Sequence, residues 1–588
     1  TGGDNAELIA YGQMRTSGRV DALGHLLPND PSVPNAKIAA ALLEASSYGR
    51  LDLLTNVDRL NAENFEFGNV IFTEDNSIVI DHLVSKSGSI DLTADGTITA
   101  LFVQSKDDIA QTNTFDVTLH ATSGDILIDR IDVGLLHNDI IILADLGNIE
   151  EVDPQDLDDS FGGASTLGID LIGDRAFLDT PGSIGGVRPL ETRLNSLEAH
   201  SLLAGNIDLN EHDTIILTDV DTLDGSITVS AGDGIDAESV STTTDSGLNG
   251  ISLDAAGTIR INEIIAGSST FTGLNPATTA SVTIAGGQIL ELGDDTGVDV
   301  RGESLDFLSA TDVGTLANPI ETSGRTISSA SGMGANSLNN YAEGSVFVTS
   351  LSSVAGPIFF EQFGGTITFD SVSAGTGNID LILNGGRNML VNRVSTGGGN
   401  LWLTVNQGGR LQIFESDVTG NGYFEANEMD FLGAPASLFG TGNLYISTNY
   451  PGNGILVKPY GYLVFDDPDY LEMDIDKLAR IAFSERYFLR NVIFVLPVID
   501  LSSGAEIGEL ALERPFSDRG AGPLISLFPD LAGDGSENGL SFSGDIAGEL
   551  EKNLGFNPFA YSGLFNSLVD SLFSGALRFA DFEALFAP

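Results

Sequence analysis

A tandem repeat between positions 357 and 422 constrains the fold of this chain more than any other feature. Three consecutive blocks of equal length align there: PIFFEQFGGTITFDSVSAGTGN, IDLILNGGRNMLVNRVSTGGGN and LWLTVNQGGRLQIFESDVTGNG. Each block holds an alternating strand, a Gly-Gly turn, a second alternating strand and a corner of small polar residues. Repeats of this kind bury a face only against their neighbours, so they predict a solenoid rather than separate globular cores.

Alternation with a period of two sends one set of side chains inward. It predicts that the core of the repeat contains Ile367, Phe369, Leu381, Leu390 and Leu403.

Similar strand phrases recur with looser spacing at positions 88, 225 and 249. We therefore predict a mainly β chain whose residues 65–460 form parallel strands about 4.8 Å apart, a parallel β-helix or β-solenoid. An antiparallel sandwich is the competing interpretation, because hairpin dipeptides also occur.

A longer phrase is duplicated: IGGVRPLET begins at Ile184 and VGTLANPIET begins at Val313. With the strand phrases, these motifs resemble the repeats of filamentous-haemagglutinin-like exoproteins, the large β-helical adhesins secreted by Gram-negative and related bacteria. The likeness covers roughly residues 65–460. It implies a right-handed β-helix with a role at the cell surface and no catalytic site.

The two ends differ from the middle, so three regions are predicted: 1–62, 63–465 and 466–588. The first is an N-terminal cap with a helix over residues 36–47, where alanine and leucine give high helix propensity. The last is a mixed α/β region with a helix over 469–483 and a strand over 491–499. Its Phe- and Leu-rich tail, residues 559–588, either caps the solenoid or joins another copy end to end.

The composition excludes several partners. There are 83 acidic and 26 basic residues, giving a formal net charge of −57, which argues against nucleic acid and anionic polysaccharides. There is no cysteine and no apolar run long enough for a transmembrane helix. The chain begins at Thr1, so we expect a processed chain or a fragment.

One local sequence approximates a calcium loop, because oxygen-bearing side chains fall at suitable spacing around Gly422. The candidate ligands are Asp417, Asn421, Glu425 and Glu428. The competing interpretation is an ordinary corner of the repeat, since the helices that flank an EF-hand loop are missing from the pattern. Calcium is therefore a candidate ion, and no cofactor is required.

Other acidic clusters could bind calcium, although with this net charge most are expected to be solvated loops. They lie at residues 150–159, 219–224, 294–299 and 466–469.

Catalysis finds little support in the sequence. The six histidines form no metal-binding pair of the H-x-x-x-H type, and neither a nucleophile elbow nor a P-loop is present. Trp402, the only tryptophan, is placed either on the outer face, as part of a sugar-binding surface, or packed beneath the C-terminal region. The second position is favoured.

These observations predict a secreted, non-enzymatic structural or adhesive protein of the cell surface. It is expected to self-associate, with surface glycans as further partners. The alternatives are a polysaccharide-active β-helix enzyme, which would use paired carboxylates, and a carbohydrate-binding surface module.

Overall fold

The computed structural model describes residues 6–10, 14–15, 37–105, 114–152, 168–268, 279–293, 296–449, 454–458, 471–489, 492–499 and 506–514. This part of the chain is 64% strand and 1% helix, which makes the fold mainly β. The strands form a parallel β-solenoid of about 16 turns. The repeat predicted this architecture. The chain divides into a first unit, Thr1–Phe360, and a second unit, Glu361–Pro588.

The first unit consists of short strands joined by tight corners. The strands described are β1 (Ala6–Ala10), β2 (Met14–Arg15), β3 (Ile38–Ser47), β4 (Leu51–Phe67), β5 (Val70–Glu74), β6 (Ile78–Ser87), β7 (Ile90–Ala94), β8 (Ile98–Ala100), β9 (Val103–Ser105), β10 (Val117–Ala121), β11 (Ile126–Ile128), β12 (Ile131–Asp132), β13 (Asp139–Ala144), β14 (Ile149–Glu151), β15 (Leu171–Thr180), β16 (Leu190–Ser201), β17 (Ile207–Glu211), β18 (Ile215–Thr222), β19 (Ile227–Ala231), β20 (Ile235–Ala237), β21 (Val240–Thr242), β22 (Ile251–Ile261), β23 (Ile264–Ala266), β24 (Ser281–Glu291), β25 (Val300–Arg301), β26 (Ser304–Ser309), β27 (Ile320–Ser323), β28 (Thr326–Ser331), β29 (Asn336–Asn340) and β30 (Ser345–Ser353).

Each strand of the first unit pairs in parallel with the strand one turn away. In one column of strands, Val70 pairs with Ile90, Ile90 with Val117 and Val117 with Ile140. All four side chains are buried. Stacking identical positions of successive turns therefore builds a continuous apolar core along the inside of the unit.

In its described residues, the second unit has strands of the same kind and one short helix. Strand β31 (Ile358–Phe363) spans the division between the units. The remaining elements are β32 (Thr366–Ala374), β33 (Ile379–Asn384), β34 (Asn388–Thr396), β35 (Leu401–Val405), β36 (Arg410–Val418), β37 (Gly422–Glu425), β38 (Glu428–Phe431), β39 (Leu438–Ser447), β40 (Ile455–Lys458), β41 (Leu471–Asp474), α1 (Ile475–Ala479), β42 (Ile481–Phe488), β43 (Val492–Ile499) and β44 (Glu506–Arg514).

The structure confirms the predicted register of the tandem repeat. Ile367 pairs with Met389, and Met389 pairs with Leu411, each in parallel. The competing antiparallel sandwich is therefore wrong for these strands. Among the predicted core residues Ile367, Phe369, Leu381 and Leu403 are at most 1% exposed.

The prediction for Leu390 is wrong, because this side chain is only half-buried. Its neighbours Met389 and Val391 point inward instead. The Gly-Gly turn of this block lies one residue earlier than in the other two blocks. Counting from that turn predicts Leu390, and a shift of one residue exchanges the two faces of a strand.

Glycine occupies the turns for a conformational reason. Gly364, Gly385 and Gly408, each the first glycine of a turn pair, have φ angles of 92°, 64° and 89°. Residues with a side chain rarely adopt such φ angles, whereas glycine adopts them at little cost.

A row of asparagines links successive corners of the second unit. The Asn400 backbone N–H donates to Asn378 Oδ1 at 2.9 Å, Asn421 N–H to Asn400 Oδ1 at 2.8 Å, and Asn443 N–H to Asn421 Oδ1 at 2.9 Å. We call these four residues the asparagine row. The first three side chains of the row each accept from the backbone amide of the next corner, so these amides have a hydrogen-bond partner.

The helix predicted over residues 36–47 is wrong. This segment forms β3, which pairs in parallel with β4, for example Leu43 with Leu60. Leu43, Ala45 and Ser47 alternate inward. Helix propensity is a weak preference that strand pairing over a buried face overrides.

The mixed α/β C-terminal region is not supported either. Where a helix was predicted over 469–483, the described residues form β41, the five-residue α1 and the start of β42. The predicted strand over 491–499 is confirmed as β43. Strands β41, β40, β43 and β44 form a small sheet, with β43 and β44 antiparallel. The tail, residues 559–588, lies outside the described residues.

Candidate functional site

A column of four aromatic side chains lies on the outer face of the second unit. Trp402 on β35 pairs in register with Tyr423 on β37, Tyr423 with Tyr445 on β39, and Tyr445 with Tyr487 on β42. We call these four residues the aromatic column. Successive side chains of a strand point to opposite faces. Because the leucines on either side of Trp402 are buried, Trp402 points outward, and in-register pairing places the three tyrosines on the same face.

The rings of the aromatic column are stacked nearly parallel. The centroids of Trp402 and Tyr423 are 5.1 Å apart, those of Tyr423 and Tyr445 4.8 Å, and those of Tyr445 and Tyr487 5.0 Å, with interplanar angles of 4°, 8° and 15°. These separations follow the spacing of paired strands. Each pair contributes about 0.5–1.5 kcal/mol beyond area burial. The inner ring faces cover one another, so the half-exposed ring edges and hydroxyl groups face the solvent.

Polar side chains accompany the tyrosines at a constant offset of two residues. The Tyr423 hydroxyl oxygen lies 3.5 Å from Asn421 Nδ2, and the Tyr445 hydroxyl oxygen lies 3.5 Å from Asn443 Nδ2. The Tyr487 hydroxyl donates to Glu485 Oε2, and this hydrogen bond, with smaller contributions from burial and charge, raises the pKa of Tyr487 to about 12. Each of the three tyrosines therefore presents a phenol beside an amide or a carboxylate.

A carboxyl group lies at the Trp402 end of the aromatic column. Asp380 on β33 pairs in register with Trp402. Burial, reinforced by the nearby charge of Glu361, raises the pKa of Asp380 to about 6. The charge at this end of the column therefore changes near neutral pH.

The sequence favoured a packed position for Trp402 beneath the C-terminal region, most of which lies outside the described residues. Trp402 lies on the outer face against Tyr423. The sequence shows Trp402, Tyr423 and Tyr445 at nearly the repeat spacing, but Tyr487 follows 42 residues after Tyr445, so periodicity alone does not reveal it.

The four predicted calcium ligands are spread over successive elements. Asp417 is exposed near the end of β36, Asn421 belongs to the asparagine row, and Glu425 ends β37. Glu428 forms an ion pair with Arg410. Among the described residues, the acidic groups close enough to share an ion do not include Asp417, Glu425 or Glu428. Calcium binding at this loop stays a prediction.

The other acidic clusters fall partly outside the described residues. Residues 153–167, 294–295 and 466–469 lie outside the described residues, whereas Glu150 and Asp299 are buried. Two groups of three carboxylates converge in the first unit. The first contains Glu151, Asp170 and Glu191, and the second contains Glu291, Asp299 and Glu321.

A histidine between two aspartates lies on the outer face of the first unit, where sequence analysis had missed it. Asp179 pairs in register with His200, and His200 with Asp221. The hydrogen bond from His200 Nδ1 to Asp221 raises the pKa of His200. Burial raises the pKa of Asp179. The three residues are far apart in sequence, so only the register reveals the group.

Comparison with protein-family models, curated proteins and solved structures finds no match to this chain. Within the part of the chain that the structure describes, no helix has the length and apolar character needed to cross a membrane.

Proposed function

We propose that this chain is a non-enzymatic structural and adhesive protein of the cell exterior, and that its aromatic column binds neutral glycan chains. The column itself carries the proposal. It repeats a phenol edge, a hydroxyl and a neighbouring polar group at three turns, with the indole of Trp402 on a fourth, and the rings are about 5 Å apart. That repeat is close to the spacing of successive sugars in an extended β-linked glycan, so each sugar could meet the same set of groups.

The charge of the chain supports a neutral ligand. A net charge of −57 repels polyanions, and Glu425 and Glu485 lie on the same strands as column residues. Amides and phenols bind sugar hydroxyls without a charge requirement. Faces for ring stacking remain only at the ends of the column, so hydrogen bonds along its edge would dominate.

The turn-to-turn bonding supports a structural role. The asparagine row ties four corners together through main-chain amides. Ion pairs such as Arg393–Glu415 join outer positions of successive turns. Polar side chains on these faces are thus engaged in holding turns together, which suits a rigid scaffold.

An array of neutral and acidic glycans, probed with the purified full-length chain, tests the proposal. Neutral chains are expected to bind, and Tyr445→Ala is expected to weaken that binding roughly tenfold, because an interior member of the column is lost. Tyr48→Ala is the matched control, since Tyr48 is an exposed tyrosine of the first unit. Equal loss in both variants, or no binding by the native chain, would refute the proposal.

The enzymatic alternative rests on one specific observation, the grouping of Asp179 with His200 and Asp221. A carboxyl group whose pKa is raised by burial can serve as a general acid. Incubation of the chain with the same glycans tests this. Reproducible cleavage that Asp179→Asn abolishes would favour the enzyme over the scaffold.

End-to-end self-association is the remaining part of the proposal and concerns the tail at residues 559–588. Its eleven Phe and Leu residues exceed what one face of a short helix requires. If the tail joins copies, its deletion should give soluble, folded monomers. If it caps its own chain, the deletion should destabilise and aggregate the protein, as sedimentation and thermal unfolding would show.

A further inference from the structure

The second carboxylate group of the first unit is almost completely withdrawn from solvent. Glu291, Asp299 and Glu321 are 8%, 2% and 5% exposed. One oxygen of each lies within 4.8 Å of an oxygen of the other two. Three ionised carboxylates this close repel one another, and burial removes the water that would screen them. A bound cation would offset this repulsion when the three groups are ionised.

The backbone holds two of the three carboxylates side by side. Asp299 directly precedes β25, which pairs with β27, where Glu321 lies. The Glu321 N–H donates to Asp299 Oδ2 at 2.9 Å, and the Asp299 N–H donates to the Glu321 carbonyl oxygen at 2.9 Å. Glu291 approaches from the end of β24. Backbone pairing between the two segments thus fixes Asp299 beside Glu321, whatever rotamers their side chains adopt.

Two acceptor atoms beside this group are buried without a hydrogen-bond donor. Asn339 Nδ2 donates to Glu321 Oε1 at 3.0 Å, but Glu321 Oε2 accepts no hydrogen bond. Asn339 Oδ1 is likewise buried and accepts none. A buried acceptor without a donor costs about 1–3 kcal/mol. Both atoms are oxygens with lone pairs available, as a hard cation requires.

We propose that Glu291, Asp299, Glu321 and Asn339 form a binding site for a divalent cation of the calcium type. Ca²⁺ takes 6–8 oxygen ligands at about 2.3–2.6 Å, so oxygens on opposite sides of the ion lie about 5 Å apart. The observed limit of 4.8 Å between carboxylate oxygens fits one such shell. Mg²⁺ demands a tighter octahedron at about 2.0–2.1 Å and retains more water, so calcium is favoured.

The same backbone arrangement occurs a second time in the first unit. The Glu191 N–H donates to Asp170 Oδ2 at 2.9 Å, and the Asp170 N–H donates to the Glu191 carbonyl oxygen at 2.8 Å. Glu151 completes that group. Glu191 and Glu321 occupy the same place in the duplicated phrases that begin at Ile184 and Val313. The arrangement therefore belongs to a repeated motif of the solenoid.

Such an ion would join successive turns, because its ligands lie on β24, beside β25, on β27 and on β29. An ion that binds the folded chain but not the unfolded chain raises the free energy of unfolding. At saturating concentrations the increase grows with the logarithm of the free ion concentration. The proposal does not depend on glycan binding, which concerns the second unit.

The test uses the chelator-treated full-length chain and Ca²⁺ alone, in about 0.15 M KCl to screen weak binding to surface carboxylates. Isothermal titration and thermal unfolding are measured for the native chain, Glu321→Gln and Glu343→Gln. Glu343 is an exposed acidic residue of the same unit. We expect Ca²⁺ to raise the melting temperature of the native chain more than Mg²⁺ does. Glu321→Gln should lose one site or weaken it roughly tenfold or more, and Glu343→Gln should not.

The proposal is overturned if the native chain melts at the same temperature in chelator and in about 1 mM Ca²⁺, or if Glu321→Gln retains the stoichiometry and affinity of the native chain. Should Glu321→Gln fail to fold, Asn339→Ala replaces it. This variant keeps all three carboxylates and is expected to weaken the same site.

Discussion

Glu211 provides a sharp test of how burial governs the stability of this solenoid. Its side chain, at the end of β17, is fully buried. One carboxyl oxygen accepts from Thr192 Oγ1 at 2.8 Å and from the Leu194 N–H at 3.1 Å. The other accepts from the Asp213 N–H at 3.2 Å. Burial nevertheless dominates and raises the pKa of Glu211 from 4.5 to about 8.

The sign of the pH dependence follows from this shift. Between pH 4.5 and about 8 the folded chain keeps the Glu211 proton while the unfolded chain releases it. The protonated Glu211 side chain therefore makes its full contribution to folding stability below pH 4.5, and this contribution is lost as the pH rises toward 8. The free energy of unfolding should fall by at most about 1.4 kcal/mol per pH unit in this window because of this one group.

Glu211→Gln removes the titration while keeping the shape of the side chain. At about pH 5 the free energy of unfolding of the variant should be roughly 1 kcal/mol lower than that of the native chain. One of the oxygens that accepts a backbone N–H becomes an NH₂ group, which cannot accept it. At about pH 8 the variant should be the more stable of the two, since it carries no buried charge. Comparing the two proteins at each pH cancels the contribution of the other carboxylates.

Urea unfolding at constant ionic strength measures the difference, and hydrogen exchange in peptides covering residues 192–213 reports it locally, because repeat proteins need not unfold in one step. Glu238→Gln, at an exposed position of the same unit, is the control and should show no pH-dependent difference. A stability difference between native chain and Glu211→Gln that stays constant from pH 5 to 8 would refute the reasoning.

Four further substitutions test the packing of the second unit, each measured by chemical unfolding. Asn421→Ala should cost about 1–2 kcal/mol, because the Asn443 N–H loses its acceptor in the corner. Phe369→Ala should cost about 3–5 kcal/mol by leaving a cavity in the core, whereas Leu390→Ala on the half-buried outer face should cost much less, and equal costs would contradict the assigned faces. Gly408→Ala should cost about 1–2 kcal/mol because of its φ of 89°, and a neutral result would contradict that geometry.

The sequence was most informative where the repeat is regular. Within residues 357–422 the alignment predicted parallel pairing, the glycine turns and most core positions correctly. Every level of the signal agrees there: alternation, turn residues and repeat length all favour the same register. Leu390 shows the limit, because the Gly-Gly turn of its block is displaced by one residue, and counting from a displaced turn exchanges the two faces of the strand.

The wrong helix over residues 36–47 has a different cause. Alanine and leucine favour a helix locally, but Ile38–Ser47 is sandwiched between β1 and β4 in a parallel sheet. Pairing partners that lie outside the segment decide its conformation, and no local pattern contains them. The same reason hides the site residues. Tyr487 joins the aromatic column, and Asp179 meets His200, only through register between turns.

Stacking in register also creates a problem that this composition makes severe. Identical positions of successive turns lie about 4.8 Å apart, where two like charges repel by roughly 3–4 kcal/mol near a protein surface. Ion pairs reduce this repulsion where opposite charges lie on neighbouring turns, as in Arg175–Glu198 and Arg260–Asp236. With 26 basic residues for 83 acidic ones, most carboxylates cannot be neutralised in this way. Exposed ones are screened by salt, so the chain as a whole should become more stable as ionic strength rises. Buried ones have no such screening. They must either keep a proton, as Glu211 does, or be balanced by a cation, as we infer for the group around Glu321.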